Sequence, residues 1–198
     1  MEALLVSTGV VALAEIGDKT QLLAFLLAAR FKKPLPIILG ILVATVANHA
    51  LAGAVGAWIV ATLSADVLRW VLGLSFLGMA VWTLIPDKMD DDGTPGYAQR
   101  LGVFGATLVT FFLAEMGDKT QIATVAMTAH YAMPVVVVVG TTLGMLIADV
   151  PAVFVGDKLA HRIPMKLVHG LAAAVFALLG VLALLGVDGS LTGAAPGT

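Results

Sequence analysis

Six long apolar runs dominate this chain of 198 residues and limit what it can fold into. A helix needs about 20 apolar residues to cross a bilayer, and a backbone in lipid must form its hydrogen bonds within its own segment. A membrane β-barrel would instead show short segments of alternating polarity. We therefore predict an all-α membrane protein with six transmembrane helices. The runs lie at approximately residues 4–29, 34–63, 67–85, 101–129, 133–156 and 165–187.

Composition excludes several classes of protein. Of the residues, 60% are hydrophobic and 12% are charged, against about 45–50% and about 25% in a soluble domain. Six spans leave no room for a soluble catalytic domain, and a net charge of −2 without a basic run gives no footprint for nucleic acid. The absence of cysteine excludes disulfides and thiolate metal sites. Because residues 1–3 lack the basic region of a secretory signal, we expect the first apolar run to be retained.

The most informative pattern is an internal repeat. Residues 14–21 read Ala-Glu-Ile-Gly-Asp-Lys-Thr-Gln, and residues 114–121 repeat them with Met in place of Ile. The chain therefore divides into two three-helix copies, which we call repeat 1 and repeat 2. An odd number of spans per copy forces the second to enter the membrane from the opposite side, which is the inverted-repeat plan of many secondary transporters. The predicted divisions are repeat 1 at 1–85, an acidic cytoplasmic loop at 86–100, repeat 2 at 101–187 and a short polar tail at 188–198.

The distribution of positive charge predicts the orientation. Membrane proteins carry an excess of Lys and Arg in their cytoplasmic loops. One side of the predicted bundle has a single such residue, Arg69, and two of the eleven, Lys19 and Lys119, lie within the repeated motif. We therefore place the loops at 30–33, 86–100 and 157–164 in the cytoplasm and both termini outside. The eight residues on the cytoplasmic side are Arg30, Lys32, Lys33, Lys88, Arg100, Lys158, Arg162 and Lys166.

Four carboxylates fall near the middle of the first and fourth runs: Glu15, Asp18, Glu115 and Asp118. A charge at the bilayer centre costs at least a few kcal/mol, so four of them indicate a function. On a continuous helix the Glu and Asp of each motif share a face. If the two copies face each other, the carboxylates form an oxygen-rich cage for a divalent cation such as Ca²⁺, Mn²⁺ or Mg²⁺. The glycine between each Glu and Asp would allow close backbone approach or a local helix break.

Further polar residues in the apolar runs extend this candidate metal site. Asn48 could supply a carbonyl oxygen, and Asp149 a fifth carboxylate or a proton relay. Gln21 and Gln121 could act as outer ligands or as hydrogen-bonding gates. An Asn in a membrane helix is equally consistent with an ordinary interhelical hydrogen bond.

The remaining motif residues allow a purely structural interpretation. Lys19 and Lys119 could pair with lipid headgroups, carbonyls or a neighbouring acid, and an Asp–Lys or Glu–Lys pair could simply hold the bundle together. Thr20 and Thr120 are expected only to bond back to their own helix. The duplication of the whole motif favours a function over this structural alternative.

Two copies of Glu-x-Gly-Asp-Lys-Thr on the first helices of two three-helix halves resemble the signature of a cation/proton exchanger family. Its members are the bacterial manganese exporters of the MneA type and the Golgi manganese/calcium transporters of the Gdt type. The resemblance covers essentially the whole chain. It implies that Mn²⁺ or Ca²⁺ is transported as cargo, with no resident cofactor, by Glu15, Asp18, Glu115 and Asp118. Because the chain shows no obvious cleavable leader or long loop of the sort seen in eukaryotic members, we expect a compact bacterial form in the inner membrane.

Like charges in one cluster disfavour simultaneous ionisation, and a bound dication reverses this preference. We therefore expect metal and protons to compete for one site, so that proton entry drives metal export. The predicted partners are a divalent metal ion, protons and the lipid bilayer. The sequence also allows a homo-oligomer.

Two alternative functions would place the chain in another class of protein. A small organic-ion exporter of the lysine-exporter type would suit six short helices in two halves, although four acids favour a metal over an amine. An intramembrane aspartyl protease would need two aspartates that share a proton. The glutamates and the lysines of the motif argue against it, and no His-Glu-x-x-His or Gly-x-Ser-x-Gly motif indicates another enzyme.

Overall fold

The computed structural model describes residues 1–85, 98–155 and 165–186, and these residues form eight α-helices. The all-α class is thereby confirmed. In chain order the helices are α1 Glu2–Glu15, α2 Lys19–Phe31, α3 Pro34–Thr62, α4 Ala65–Thr83, α5 Ala98–Glu115, α6 Lys119–Tyr131, α7 Pro134–Val155 and α8 Met165–Leu185.

The first and fourth apolar runs are each broken in the middle. α1 ends at Glu15 and α2 begins at Lys19, while α5 and α6 meet at an angle of 70°. Gly17 and Gly117 lie in these breaks with φ of 86° and 79°, a conformation that glycine adopts without steric cost. The expectation of continuous helices, with the Glu and Asp of each motif on one helix face, is therefore wrong. The local helix break at glycine is what the structure contains.

The two broken segments also end alike. Lys32 and Ala132 follow α2 and α6 in the left-handed conformation, with φ of 52° and 51°. Their N–H groups donate to carbonyls four residues earlier, which closes each helix. Pro34 and Pro134 then begin α3 and α7, where a missing N–H costs nothing. The equivalent local structure follows the 100-residue offset of the motif.

Helix packing also follows this offset. α1 packs against α7, and α3 packs against α5, so each pair joins one repeat to the other. A Cβ on Gly40 would come 2.7 Å from Cβ of Thr107, and a Cβ on Gly140 would overlap the hydroxyl of Ser7. Glycine is required at both positions because the helix backbones approach closely there. α4 and α8 pack against each other, and they also contact α6 and α1, respectively.

The polarity of the bundle is that of a membrane protein. Large apolar side chains are exposed on the outside, as at Trp58, Val81, Phe154 and Leu178, whereas the motif carboxylates are buried. Among the described residues α3, α4, α7 and α8 are long and apolar enough to cross a membrane, and the bent pair of α5 and α6 makes a fifth candidate span. The chain is thus a multi-pass integral membrane protein. Six spans and the inversion of the second repeat stay predictions.

Several predicted features lie outside the described residues. These are most of the acidic loop at 86–100, the polar stretch at 157–164 and the tail at 188–198. They include three of the positive charges on which the predicted orientation depends, Lys88, Lys158 and Arg162.

Candidate metal centre

The helix breaks place the four motif carboxylates. Each glutamate is the last residue of its half-helix, and each aspartate precedes the first residue of the next. The N–H groups of Asp18 and Asp118 donate to the carbonyls of Glu15 and Glu115 at 3.0 and 3.1 Å, which closes both turns. The Asp18 carboxylate also accepts a hydrogen bond from the N–H of Lys19 at 2.6 Å. A carboxylate at a helix N-terminus is stabilised by the helix dipole.

Three carboxylates from the two repeats converge. Glu15, Glu115 and Asp118 each offer one oxygen, and these oxygens all lie within 4.8 Å of one another. All three residues are buried. Divalent cations bind oxygen at about 2.0–2.6 Å, so oxygens around one ion are at most about twice that distance apart. The three carboxylates are therefore close enough to share a single cation.

The fourth motif carboxylate, Asp18, is paired with a buried lysine. Oδ2 of Asp18 lies 3.0 Å from Nζ of Lys119, and both side chains are buried. Oδ1 of Asp118 lies 2.9 Å from Nζ of Lys19, whose side chain keeps 27% of its exposure. Each motif lysine thus pairs with the aspartate of the other repeat. Asp18 is buried beside the cluster, although it is not one of the three residues that converge.

Both glutamates are held by a threonine of the same motif. Oγ1 of Thr20 donates to Oε2 of Glu15 at 2.6 Å, and Oγ1 of Thr120 donates to Oε2 of Glu115 at 3.0 Å. The expectation that these threonines only bond back to their helix is therefore wrong. Sequence reasoning missed this contact because residues five apart on a continuous helix do not face each other.

Each of the three converging residues has one buried carboxylate oxygen without a hydrogen-bond partner among the described residues. These oxygens are Oε1 of Glu15, Oε1 of Glu115 and Oδ2 of Asp118. Buried polar atoms in folded proteins are almost always bonded, and the exceptions require an explanation. These oxygens belong to the three converging residues, so a bound cation would satisfy them.

The two glutamines close the helix breaks. The side-chain oxygens of Gln21 and Gln121 accept hydrogen bonds from the N–H groups of Gly17 and Gly117 at 3.0 and 2.7 Å. The amide of Gln21 also donates to the carbonyl of Ala148 on α7 at 2.9 Å. The glutamines therefore stabilise the turns that carry the carboxylates.

Two further candidates lie on the helices that pack against the motifs. Asp149 on α7 is fully buried, and neither of its oxygens has a hydrogen-bond partner among the described residues. It interacts electrostatically with both Glu15 and Glu115. Asn48 on α3 donates to the carbonyl of Phe112 at 3.0 Å, and its own oxygen is buried without a hydrogen bond in the described part of the chain. Asp149 is thus a nearby fifth carboxylate, whereas Asn48 first of all joins α3 to α5.

Comparisons with known proteins find one matching protein family and several similar proteins. A family model described as "Divalent cation/proton antiporter GDT1" matches residues 3–91 and 103–190. The "Putative manganese exporter" of Vibrio cholerae serotype O1 is 52% identical over 182 residues, which cover 91% of this chain and 90% of that protein. "GDT1-like protein 4" of Oryza sativa subsp. indica is 30% identical over 200 residues, 88% of this chain and 70% of that protein.

A more distant relative extends the range of organisms. "GDT1-like protein 3" of Arabidopsis thaliana is 27% identical over 201 residues, which cover 88% of this chain and 68% of that protein. No solved structure matches the chain. The resemblance first indicated by the doubled motif is thereby confirmed.

Proposed function

Because the chain belongs to the GDT1 family of divalent cation/proton antiporters, we propose that it exports Mn²⁺ from the cell in exchange for protons. The observation that carries the proposal is the convergence of three buried carboxylates, Glu15, Glu115 and Asp118, within 4.8 Å. Because both repeats contribute, a relative movement of the repeats would change the site. The family consists of transporters and not of enzymes, so the aspartyl-protease alternative is dropped.

The proposed architecture has six spans in two inverted repeats. In it, α1 with α2 and α5 with α6 each form one broken span, so that both breaks lie at the middle of the membrane. The equal offsets of the glycine turns, the left-handed helix ends and the cross-repeat packing support this arrangement. Discontinuous helices that meet at the bilayer midplane are typical of secondary transporters. With the positive loops in the cytoplasm, both termini lie outside a bacterial inner membrane.

The choice of Mn²⁺ over Ca²⁺ rests on the bacterial relative that is named as a manganese exporter. The site itself offers carboxylate oxygens, which suit both ions.

Charge balance provides the coupling to protons. The buried carboxylates of the motifs and Asp149 exceed the two motif lysines by three negative charges. A bound dication neutralises two of them, and protons must neutralise the carboxylates when the metal has left, because an uncompensated charge is costly inside a membrane. Metal and protons thus occupy the same carboxylates in turn. Rocking of the two repeats about the site would expose it alternately to each side of the membrane.

Transport in sealed vesicles tests the function. We expect everted vesicles that contain the protein to accumulate Mn²⁺ when their lumen is acidic, and right-side-out vesicles to extrude it. Parallel assays with Ca²⁺ and Mg²⁺ establish the ion preference. Glu115→Gln removes one central charge and should abolish uptake, whereas Glu2→Gln, at an exposed position of α1, is the matched control. Mn²⁺ uptake equal to that of vesicles without the protein would overturn the proposal.

A further inference from the structure

The motif lysines lie where a cation bound to the aspartates would lie. Nζ of Lys19 is 2.9 Å from Asp118, and Nζ of Lys119 is 3.0 Å from Asp18. An ammonium group at this distance satisfies a carboxylate oxygen by charge and by hydrogen bonding. A transported cation can therefore use that oxygen only if the lysine moves away.

The two lysine–aspartate pairs differ in burial, and this difference corresponds to which aspartate belongs to the converging cluster. The Lys119–Asp18 pair is almost fully buried, with side-chain exposures of 1% and 0%. Its aspartate is the motif carboxylate that does not join the three converging residues. Lys19 is 27% exposed, and its partner Asp118 still offers Oδ2 without a hydrogen bond among the described residues. Pairing with a buried lysine thus coincides with absence from the cluster.

We propose that Lys19 and Lys119 are built-in competing cations that set the selectivity of the site for divalent over monovalent ions. This inference rests on the proposed function. A monovalent ion that displaces a lysine only exchanges one positive charge for another. A dication brings a second charge, which compensates for the loss of the lysine's contact. The lysines therefore weaken the binding of every cation by a similar factor. This cost cancels the gain from a monovalent ion, whereas the second charge of a dication leaves enough affinity to occupy the site.

A purely structural ion pair has a different signature. If the lysines only hold the two repeats together, removal of one destabilises the protein and leaves metal binding unchanged or weaker. If they compete with the cargo, the same removal strengthens metal binding, because the released aspartate is free to join the cluster. Metal affinity and sodium competition therefore separate the two roles.

The first experiment measures Mn²⁺ binding to the purified full-length protein by calorimetry, with and without excess Na⁺. We expect Lys119→Gln to bind Mn²⁺ about tenfold more tightly than the wild type. A change of this size corresponds to a modest coupling energy between two close charges. We also expect Na⁺ to compete with Mn²⁺ in this variant and not in the wild type. Lys119→Arg keeps the charge and should behave as the wild type. Lys33→Gln, at an exposed lysine before α3, is the control.

A double substitution tests whether the effect acts through the paired aspartate. Asp18→Asn combined with Lys119→Gln removes both partners of the buried pair, which leaves no unpaired charge from it. We expect the gain in affinity to disappear in this variant. Lys19→Gln releases Asp118 and not Asp18, so we expect it to strengthen Mn²⁺ binding even in the Asp18→Asn background. These variants carry the test even if Lys119→Gln alone does not fold.

The outcomes are distinct from those of the proposed function. A wild type that binds no divalent cation would overturn both proposals. A wild type that transports Mn²⁺, together with lysine variants whose Mn²⁺ affinity and Na⁺ sensitivity do not change, would overturn this inference alone. The lysines would then be structural.

Discussion

Nζ of Lys119 lies 3.0 Å from Oδ2 of Asp18, and this buried contact joins the first residue of α6 to the residue that precedes α2. The equivalent contact joins Lys19 of repeat 1 to Asp118 of repeat 2. Neither copy of the motif is therefore self-contained, since each supplies the positive charge for an acid of the other. A substitution in one motif should affect the other.

The glutamates give the first prediction. Glu15→Gln and Glu115→Gln keep the size of the side chain and an oxygen that can accept the threonine hydroxyl, but they remove the charge. We expect each to lower metal transport by about 100-fold or more while the protein stays folded, because loss of a partner around a metal site alone costs about 10–100-fold. Uptake into proteoliposomes and elution as a single species measure the two properties. Wild-type transport by both variants would show that the carboxylates are structural.

The threonines that hold the glutamates give the second prediction. Thr20→Val and Thr120→Val remove the hydrogen bonds of 2.6 and 3.0 Å to Oε2 of the glutamates at similar volume. We expect Mn²⁺ affinity to fall by about 10–100-fold, as for other residues that orient metal ligands. Substitution by Ser should restore most of the affinity.

Thr62→Val is the control for these variants, since Thr62 is exposed and bonds only to carbonyls of its own helix in the described part of the chain. Unchanged Mn²⁺ affinity in both motif variants would contradict a positioning role for the threonines.

The glycine turns give the third prediction. Gly117 has φ of 79°, and a Cβ there would meet no atom within 4 Å. Gly117→Ala should therefore act through backbone strain alone and lower the free energy of unfolding by about 1–2 kcal/mol. Gly9 is helical and equally uncrowded, so Gly9→Ala should be neutral or stabilising by up to about 1 kcal/mol. Denaturant unfolding in detergent measures both, and equal effects would contradict the requirement for a left-handed residue.

Much of the architecture could be predicted from the sequence. Four of the six apolar runs correspond to single helices whose ends lie within two or three residues of the expected bounds, as for the run at 34–63 and the helix Pro34–Thr62. The doubled motif indicated both the repeat and the candidate site. Apolar runs predict helices reliably because burial and lipid exposure both favour them.

The helix breaks were harder to predict. An apolar run reports the environment of a segment and not the φ of one residue, so the runs at 4–29 and 101–129 look continuous. A signal was nevertheless present: Gly17 precedes Asp18, and Asp is a preferred residue at the N-terminus of a helix. A helix break at the glycines was one of the two possibilities that the sequence left open, and a decision for it would have predicted the contact of Thr20 with Glu15.

The pairing between the motifs could not be predicted from the sequence. Whether Lys119 contacts Asp18 or Asp118 depends on how the two repeats pack. The position of Lys119 next to Asp118 in the sequence does not decide between the two aspartates. The same holds for Asp149, whose place beside the motif glutamates depends on the packing of α7 against α1.

Metal-evoked proton movement tests the central claim most directly. The protein is reconstituted in proteoliposomes clamped at zero membrane potential, with a pH-sensitive dye in an acidic lumen, and Mn²⁺ is added outside. We predict that Mn²⁺ enters and that the lumen becomes more alkaline, that reversal of the pH gradient stops the uptake, and that Glu15→Gln abolishes both signals. Mn²⁺ uptake that leaves the luminal pH unchanged and is indifferent to the imposed gradient would contradict exchange and indicate a uniporter or channel.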